Sequence, residues 1–236
     1  MSRIAIIVAR GGSKRIPRKN IKQFLAKPII AYSIAVAKNC GLFDEVMVST
    51  EDQEIADIAQ QYGAALPFLR SFDNADDFTG PGDVVHEVLA NYKKKNRCFS
   101  IACCIYATAP LITVQRLEEA YNLLMASDFD MVFPVVRFDY PIWRSFNMNT
   151  KSAVSMNFPE FEKKRSQDLP PAFHDAGQFY WFHTAQFEIL ENKNVFGINK
   201  GAIEIPLMEA QDIDNEEDWQ MAELKAQFIK EKYKNY

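Results

Sequence analysis

The sequence predicts one α/β domain with a mostly parallel sheet, and three observations carry that prediction. Short apolar runs alternate with segments of helical spacing along most of the chain. Two of those runs, residues 4–8 and 99–106, are strongly apolar, as expected of strands covered on both faces. A glycine-containing, cationic loop stands directly behind the first run, at the carboxyl end of a strand, where open α/β sheets bind ligands.

Taken in order, residues 4–8 form the first strand and residues 10–22 the loop behind it. Ile29, Ile30, Ser33, Ile34, Val36 and Ala37 mark a first helix that Gly41 ends. Residues 45–49 read as the second strand and 52–62 as the second helix, closed by Gly63. A short third strand is predicted at 66–69, followed by a loop rich in Asp and Gly at 73–82. Val84, Val85, Val88, Leu89 and Tyr92 define one helical face, and 99–106 is the fourth and central strand. Leu117, Ala120, Tyr121, Leu124 and Met125 mark the next helix, and 131–136 the fifth strand. Strands at 177–182 and 202–206 flank a helix at 185–190, and an amphipathic helix over 215–233 uses Trp219, Ala222, Leu224 and Phe228.

The alternation breaks between residues 137 and 172. This stretch holds Pro141, Pro159, Pro170 and Pro171 and the exposed-looking aromatics Tyr140, Trp143, Phe146, Phe158 and Phe161. A structureless excursion of that length is unusual inside a compact domain unless it has a function. Exposed aromatics with Arg suit an interface, which predicts an arm packing on a second subunit and hence a homodimer.

A length of 236 residues suits one such domain, here residues 1–236 with the arm inserted at 137–172. The net charge of −4 argues against a nucleic-acid partner. No apolar run approaches the roughly 18 residues of a membrane span. The first apolar run is too short for a secretory signal and is followed, not preceded, by cations, so a cytoplasmic protein is expected. Cys40, Cys98, Cys103 and Cys104 show no metal or redox spacing and are expected to be free, buried thiols.

From Arg10 to Lys22 the loop carries six Lys/Arg and no Asp or Glu. Gly11 and Gly12 leave backbone amides uncovered, and amides beside cations form an anion nest. No Gly-Lys-Ser/Thr follows as in a Walker A loop, and Gly-x-Gly-x-x-Gly is absent. The polyanion expected is a triphosphate. Far along the chain, Asp212 and Asp214 lie two apart, so an extended backbone presents both carboxylates to one side. They suit Mg²⁺, with phosphate and water oxygens completing its shell. The competing expectation is that Asp214 caps the last helix, with Glu217 completing a capping box.

The segment Arg10-Gly-Gly-Ser13-Lys14 followed by Lys19-Asn20 resembles the signature of the CMP-sugar synthetases (acylneuraminate cytidylyltransferases). So do Val48-Ser49-Thr50-Glu51-Asp52, Leu69-Arg70, Ala107-Thr108-Ala109-Pro110-Leu111 and Asp212-Ile213-Asp214, in the same order. Within that family the pseudaminic acid branch is most similar, through residues 15–21, 106–110 and 175–181. The sialic acid enzymes usually carry Gln-Pro-Thr-Ser-Pro in place of residues 106–110, and Asn-Gly in place of Ala176-Gly177.

The resemblance implies a Rossmann-like nucleotidyltransferase that joins CTP to a nine-carbon acidic sugar, with a dimerisation arm that reaches its neighbour's active site. It implies that Arg10, Ser13, Lys14 and Lys19 contact the triphosphate, with Gly11, Gly12 and Asn20 in the same cradle. It moves Asp212 and Asp214 to the metal role, and Arg70 to reading the cytosine carbonyl, with Thr79 and Gly80 following the base edge. Thr108 would line the cleft between nucleotide and sugar. Tyr106, His174, Gln178 and Tyr180 are the sugar-binding candidates, and Arg10, Lys14, Lys19 and Asp214 the catalytic set. Arg18 is expected to be a solvated extra cation and His86 structural. Three alternatives stay open: another sugar acid (legionaminic, sialic or eight-carbon), a UTP- or GTP-using transferase, and a nucleotide-binding protein without catalysis.

Overall fold

In the computed structural model, which describes residues 1–75, 79–188 and 199–232, strand β1 (Arg3–Val8) is the pivot of the fold. Its side chains alternate between two faces. Ala5 and Ile7 enter one apolar cluster, Ile4 and Ile6 the other, and all four are fully buried. The basic loop follows and ends in a small hairpin, β2 (Gln23–Phe24) with β3 (Lys27–Pro28), before α1 (Ile30–Asn39). Gly41 then takes a φ of +65°, the left-handed conformation that ends such a helix. The chain continues through β4 (Glu45–Ser49), α2 (Gln53–Gln61), α3 (Pro81–Lys94), β5 (Ile101–Tyr106), α4 (Val114–Ala126) and β6 (Met131–Arg137).

After β6 the chain leaves the sheet. Its excursion contains one hairpin, β7 (Phe146–Met148) with β8 (Val154–Met156), and returns through β9 (Phe173–Asp175). Then come β10 (Phe179–His183), α5 (Thr184–Glu188), β11 (Lys200–Glu204) and α6 (Glu216–Lys232). The main sheet runs β11–β6–β10–β5–β1–β4, with β9 paired to β6. β4, β1 and β5 are mutually parallel, as are β6 and β11, whereas β10 is antiparallel to both β5 and β6. The architecture is the predicted α/β class with a largely parallel sheet.

Helices α1, α2 and α4 cover one face and α3 the other. A third apolar cluster lies beside the sheet, where Trp219, Ala222, Ala226 and Ile229 of α6 pack on Ile16, Phe24, Leu111 and Ile213. It clamps the last helix against the basic loop.

Four expectations are corrected. Residues 66–69 form no strand; only Ala65 bridges, once, to Met47. Leu224 and Phe228 are 60% and 49% exposed, so the buried face of α6 is rotated from the expected one. Trp143 packs edge-on against Phe158 and tilted against Phe161, and all three are half-buried, while Tyr140 and Phe146 are exposed as expected. The cysteines are free and three are buried, but Cys98 is exposed. The expected helix at 185–190 is described to Glu188 and the last helix to Lys232; their predicted ends lie outside the described residues.

Candidate active site

A cleft of about 410 Å³ opens at the carboxyl ends of β1 and β5. Parallel strands end there together, so their loops converge on one place. Val8, Ala9 and Arg10 form its floor from β1, and Tyr106, Ala107 and Thr108 from β5. Ser13, Lys14, Lys19 and Asn20 join from the basic loop, and Arg70, Thr79 and Pro81 close the far side. Nine predicted residues are thus brought to one cavity from four separate parts of the sequence.

The loop holds its shape through specific bonds. Asn20, 8% exposed, donates from Nδ2 to the Arg10 carbonyl at 2.8 Å, closing the loop's two ends. Asn20 is therefore a brace of the basic loop as well as part of the cleft wall. Gly11 donates its amide to Glu51 Oε1 at 2.6 Å, so this amide serves the loop's attachment to the end of β4. A side chain at Gly11 would place its Cβ 2.6 Å from Asp52 Oδ2, which explains the requirement for glycine there. Gly12 has no such neighbour within 4 Å. Asp52 caps α2 by accepting from the Ile55 amide at 3.0 Å and also pairs with Arg18, whose Nη2 lies 2.8 Å away. That pairing holds the Asp52 carboxyl at about 2. Arg18 is not the solvated cation expected. It sits at a φ of 54° and clips the loop to α2.

Lys19 and Arg15 carry the loop to the carboxylate pair. Lys19 Nζ donates to the Ile213 carbonyl at 2.6 Å, between Asp212 and Asp214. Burial lowers the Lys19 pKa, with the two aspartates pulling the other way. Arg15 Nη2 lies 2.7 Å from Asp214 Oδ1. Partial desolvation, then the charge of Asp214, raises Asp212. These are hard oxygen donors held close with like charge, a set that a divalent cation would relieve. The capping expectation for Asp214 is displaced by one residue. Asn215 accepts from the Asp218 amide at 3.0 Å, and Asp218 Oδ2 accepts from the Asn215 amide at 3.0 Å. That reciprocal pair is the capping box, and it leaves the Asp214 carboxylate to pair with Arg15; neither Asp212 nor Asp214 is among the residues lining the cleft.

Arg70 is 7% exposed, and its Nε donates to Ser49 Oγ at 3.1 Å. The guanidinium is thereby aimed along the end of β4 into the cleft. Gly80 lies directly before Pro81 and flanks α3 without a direct cap.

The sugar candidates are less unified. Of the four, Tyr106 lines the cleft. Burial pushes its phenol up to about 12, and its hydroxyl is hydrogen-bonded with that of Tyr180. Tyr180 is 1% exposed and donates to Asp175 Oδ2 at 2.7 Å, so it touches the cleft only through Tyr106. Gln178 is 2% exposed and its Nε2 donates to the Glu209 carbonyl, while Oε1 has no partner. It therefore braces the segment leading to Asp212. His174 is exposed beside Phe138, with Nδ1 2.9 Å from the Asp175 carbonyl. His86 packs on Phe187 in the core, as expected.

Sequence reasoning missed Glu51, Asp175 and the Arg116–Glu209 ion pair at 2.7 Å, which precedes the Asp212–Asp214 segment. Glu51 was visible only as part of a motif, and nothing local marks Glu209, whose partner lies 93 residues away.

Residues 4–232 match the cytidylyltransferase family. The chain is 40% identical to a pseudaminic acid cytidylyltransferase of Campylobacter jejuni, over 95% of this chain and 96% of that one. It is 31% identical to the CMP-N,N'-diacetyllegionaminic acid synthase of Legionella pneumophila, over 93% and 94%. Its fold is similar to that of a CMP:2-keto-3-deoxy-manno-octonic acid synthetase complexed with CTP. That likeness has a TM-score of 0.70 at 17% identity, over 98% and 100% of the two chains. With the match spanning nearly the whole chain, including both the basic loop and the carboxylate pair, this protein belongs to the cytidylyltransferase family.

Proposed function

We propose that the chain transfers CMP from CTP to the anomeric hydroxyl of a nine-carbon 2-keto acid sugar, pseudaminic acid, and releases pyrophosphate. The observation that carries this reading is the meeting of the two charged halves. Lys19 and Arg15 bond the backbone and carboxylate of the Asp212–Asp214 segment, so the cationic loop and the carboxylates are held against each other. The choice of sugar is supported by the similarity to pseudaminic acid cytidylyltransferases along almost their full length.

The sugar oxygen attacks the α-phosphate in line with the departing pyrophosphate. Arg10, with its planar fork, and Lys14 and Lys19, as point charges, offset the charge that grows on the leaving group. Tyr106 at the end of β5 and Thr108 just after it stand between the nucleotide and sugar positions. Asp212 and Asp214 would hold Mg²⁺, which supplies charge neutralisation at the phosphate oxygens. The enzyme works as a cytoplasmic homodimer through the arm at 137–172. Among the described residues no helix is long and apolar enough to cross a membrane.

The test is pyrophosphate release from CTP with pseudaminic, legionaminic, sialic and eight-carbon ulosonic acids, each with Mg²⁺ and with chelator. Turnover with pseudaminic acid that the chelator abolishes is expected. Turnover with another acid alone changes the sugar. Turnover with UTP or GTP on a sugar 1-phosphate overturns the reaction, and CTP binding without release on any acid returns the reading to a non-catalytic protein.

A further inference from the structure

Glu51 stands at the junction of two subsites. It follows β4, its side chain is 11% exposed, and its two oxygens point to different partners. Oε1 accepts the Gly11 amide of the phosphate loop at 2.6 Å. Oε2 makes no hydrogen bond and lies 3.7 Å from Nη1 of Arg70. Arg70 is buried, and its other bonds here are to the neutral hydroxyl and carbonyl of Ser49. Burial depresses the Arg70 charge, and Glu51 is the foremost group sustaining it, followed by Glu87.

A carboxylate buried this far is costly unless both oxygens are used. Neither partner of Glu51 would be held as it is without it. The Gly11 amide has its bond from Glu51, and a Cβ added at Gly11 would meet Asp52. Arg70 has its aim from Ser49 but its nearest counter-charge from Glu51.

We propose that Glu51 is a positioning residue that holds the phosphate loop with one oxygen and the base-reading guanidinium with the other, making triphosphate placement and base selection one coupled unit. This rests on the CTP reading above. It goes beyond that reading in predicting that the two jobs separate by substitution. The Gln side chain keeps a carbonyl oxygen for the Gly11 amide, but presents an NH₂ group toward Arg70 and has no charge. The Ala side chain keeps neither.

The experiment compares wild type, Glu51→Gln and Glu51→Ala for kcat and KM with CTP and with UTP, alongside urea unfolding of each. For Glu51→Gln, KM for CTP rises and the CTP-over-UTP preference falls, each by roughly tenfold, with kcat within about threefold of wild type. Glu51→Ala loses kcat by a further tenfold or so, because the loop is released as well. If Glu51→Ala does not fold, the Glu51→Gln split alone decides. A folded Glu51→Gln enzyme with unchanged CTP preference overturns the inference, as does one whose kcat falls as far as that of Glu51→Ala. Wild-type enzyme inert toward CTP would instead overturn the underlying reaction, so the two failures are told apart.

Discussion

The basic loop behind β1 and the arm behind β6 are both long departures from the sheet, and they are secured in opposite ways. The loop is tied to distant parts of the chain. Gly11 bonds Glu51, Arg18 bonds Asp52, Lys19 bonds Ile213 and Lys22 pairs with Glu216. Ile16, in the middle of the cationic run, is 2% exposed under α6, and Ile21 packs on the core. The arm is tied mainly to itself. Trp143 Nε1 donates to the Pro170 carbonyl at 2.9 Å, Asn157 bonds Ser145, and the β7–β8 hairpin closes on its own turn. Its remaining apolar surface faces outward, with Tyr140 88%, Met148 71%, Val154 61% and Phe146 59% exposed. A loop that is cross-braced can hold charges in fixed places for chemistry. A segment that folds on itself and shows apolar side chains suits contact with something else.

The sharpest way to break this comparison is to cut the chemistry on the loop side. Arg10→Ala should lower turnover by roughly two to three decades, as loss of one well-aimed charged donor does. A cooperative melting transition should remain, because the braces through Gly11, Arg18, Lys19 and Asn20 use groups that this substitution keeps. Steady-state kinetics with calorimetry checks both. A variant within threefold of wild type would remove Arg10 from the mechanism.

On the arm side the expected effect is on assembly. Wild type should sediment as a dimer at micromolar concentration, and Tyr140→Asp with Phe146→Asp should weaken it by roughly tenfold or more, as loss of aromatic anchors does. A monomeric wild type refutes the arm's role outright.

The same contrast explains what was legible in the sequence. The loop's charges, its two glycines and the Asp212–Asp214 spacing are local signals; the structure brings Arg10, Ser13, Lys14, Lys19 and Asn20 to one cleft, while Gly11, Gly12, Asp212 and Asp214 lie outside its lining. The braces were not legible, because each joins residues far apart. Glu51 gives no sign that it will meet Gly11, and Arg18 looks like one more cation until Asp52 is seen opposite. Pairing direction was hidden for the same reason. β10 carries the apolar signature of a buried strand, but nothing in residues 179–183 says that it runs against β5 and β6. At 66–69 the apolar run was real, yet a strand needs a partner, and beyond Ala65 none pairs with it. Tyr180 and Gln178 illustrate the limit at the site. Their types suit a sugar pocket, but Tyr180 lies in β10 inside the sheet and Gln178 directly before it, so both are buried and bond Tyr106 and the Glu209 backbone respectively.

The smallest effect tests whether bracing itself separates the two regions, since each contains a bidentate Arg–carboxylate pair. Arg18–Asp52 has side chains 38% and 21% exposed, whereas Arg165–Asp168 in the arm has 72% and 45%. Arg18 holds the Asp52 carboxyl at about 2, below its ordinary 3.8. A depressed carboxylate stabilises the fold at pH values above the unfolded value. That contribution should be complete above about pH 4 and lost as the pH falls through about 2. Solvent screening of the half-exposed partner reduces it to about 1 kcal/mol. Arg18→Met should therefore lower unfolding free energy by about that amount at pH 7, and the gap to wild type should close near pH 2. Asp52→Asn should behave alike while keeping the cap on α2, because Asn also accepts from the Ile55 amide. Arg165→Met should shift stability by no more than about 0.5 kcal/mol, because an exposed pair within one short turn adds little. Urea titrations across pH 2–7 measure all three. Equal losses from Arg18→Met and Arg165→Met would show that the loop's bracing owes nothing to its ion pair, leaving the hydrogen bonds of Gly11, Lys19 and Asn20 to account for the difference between the two regions.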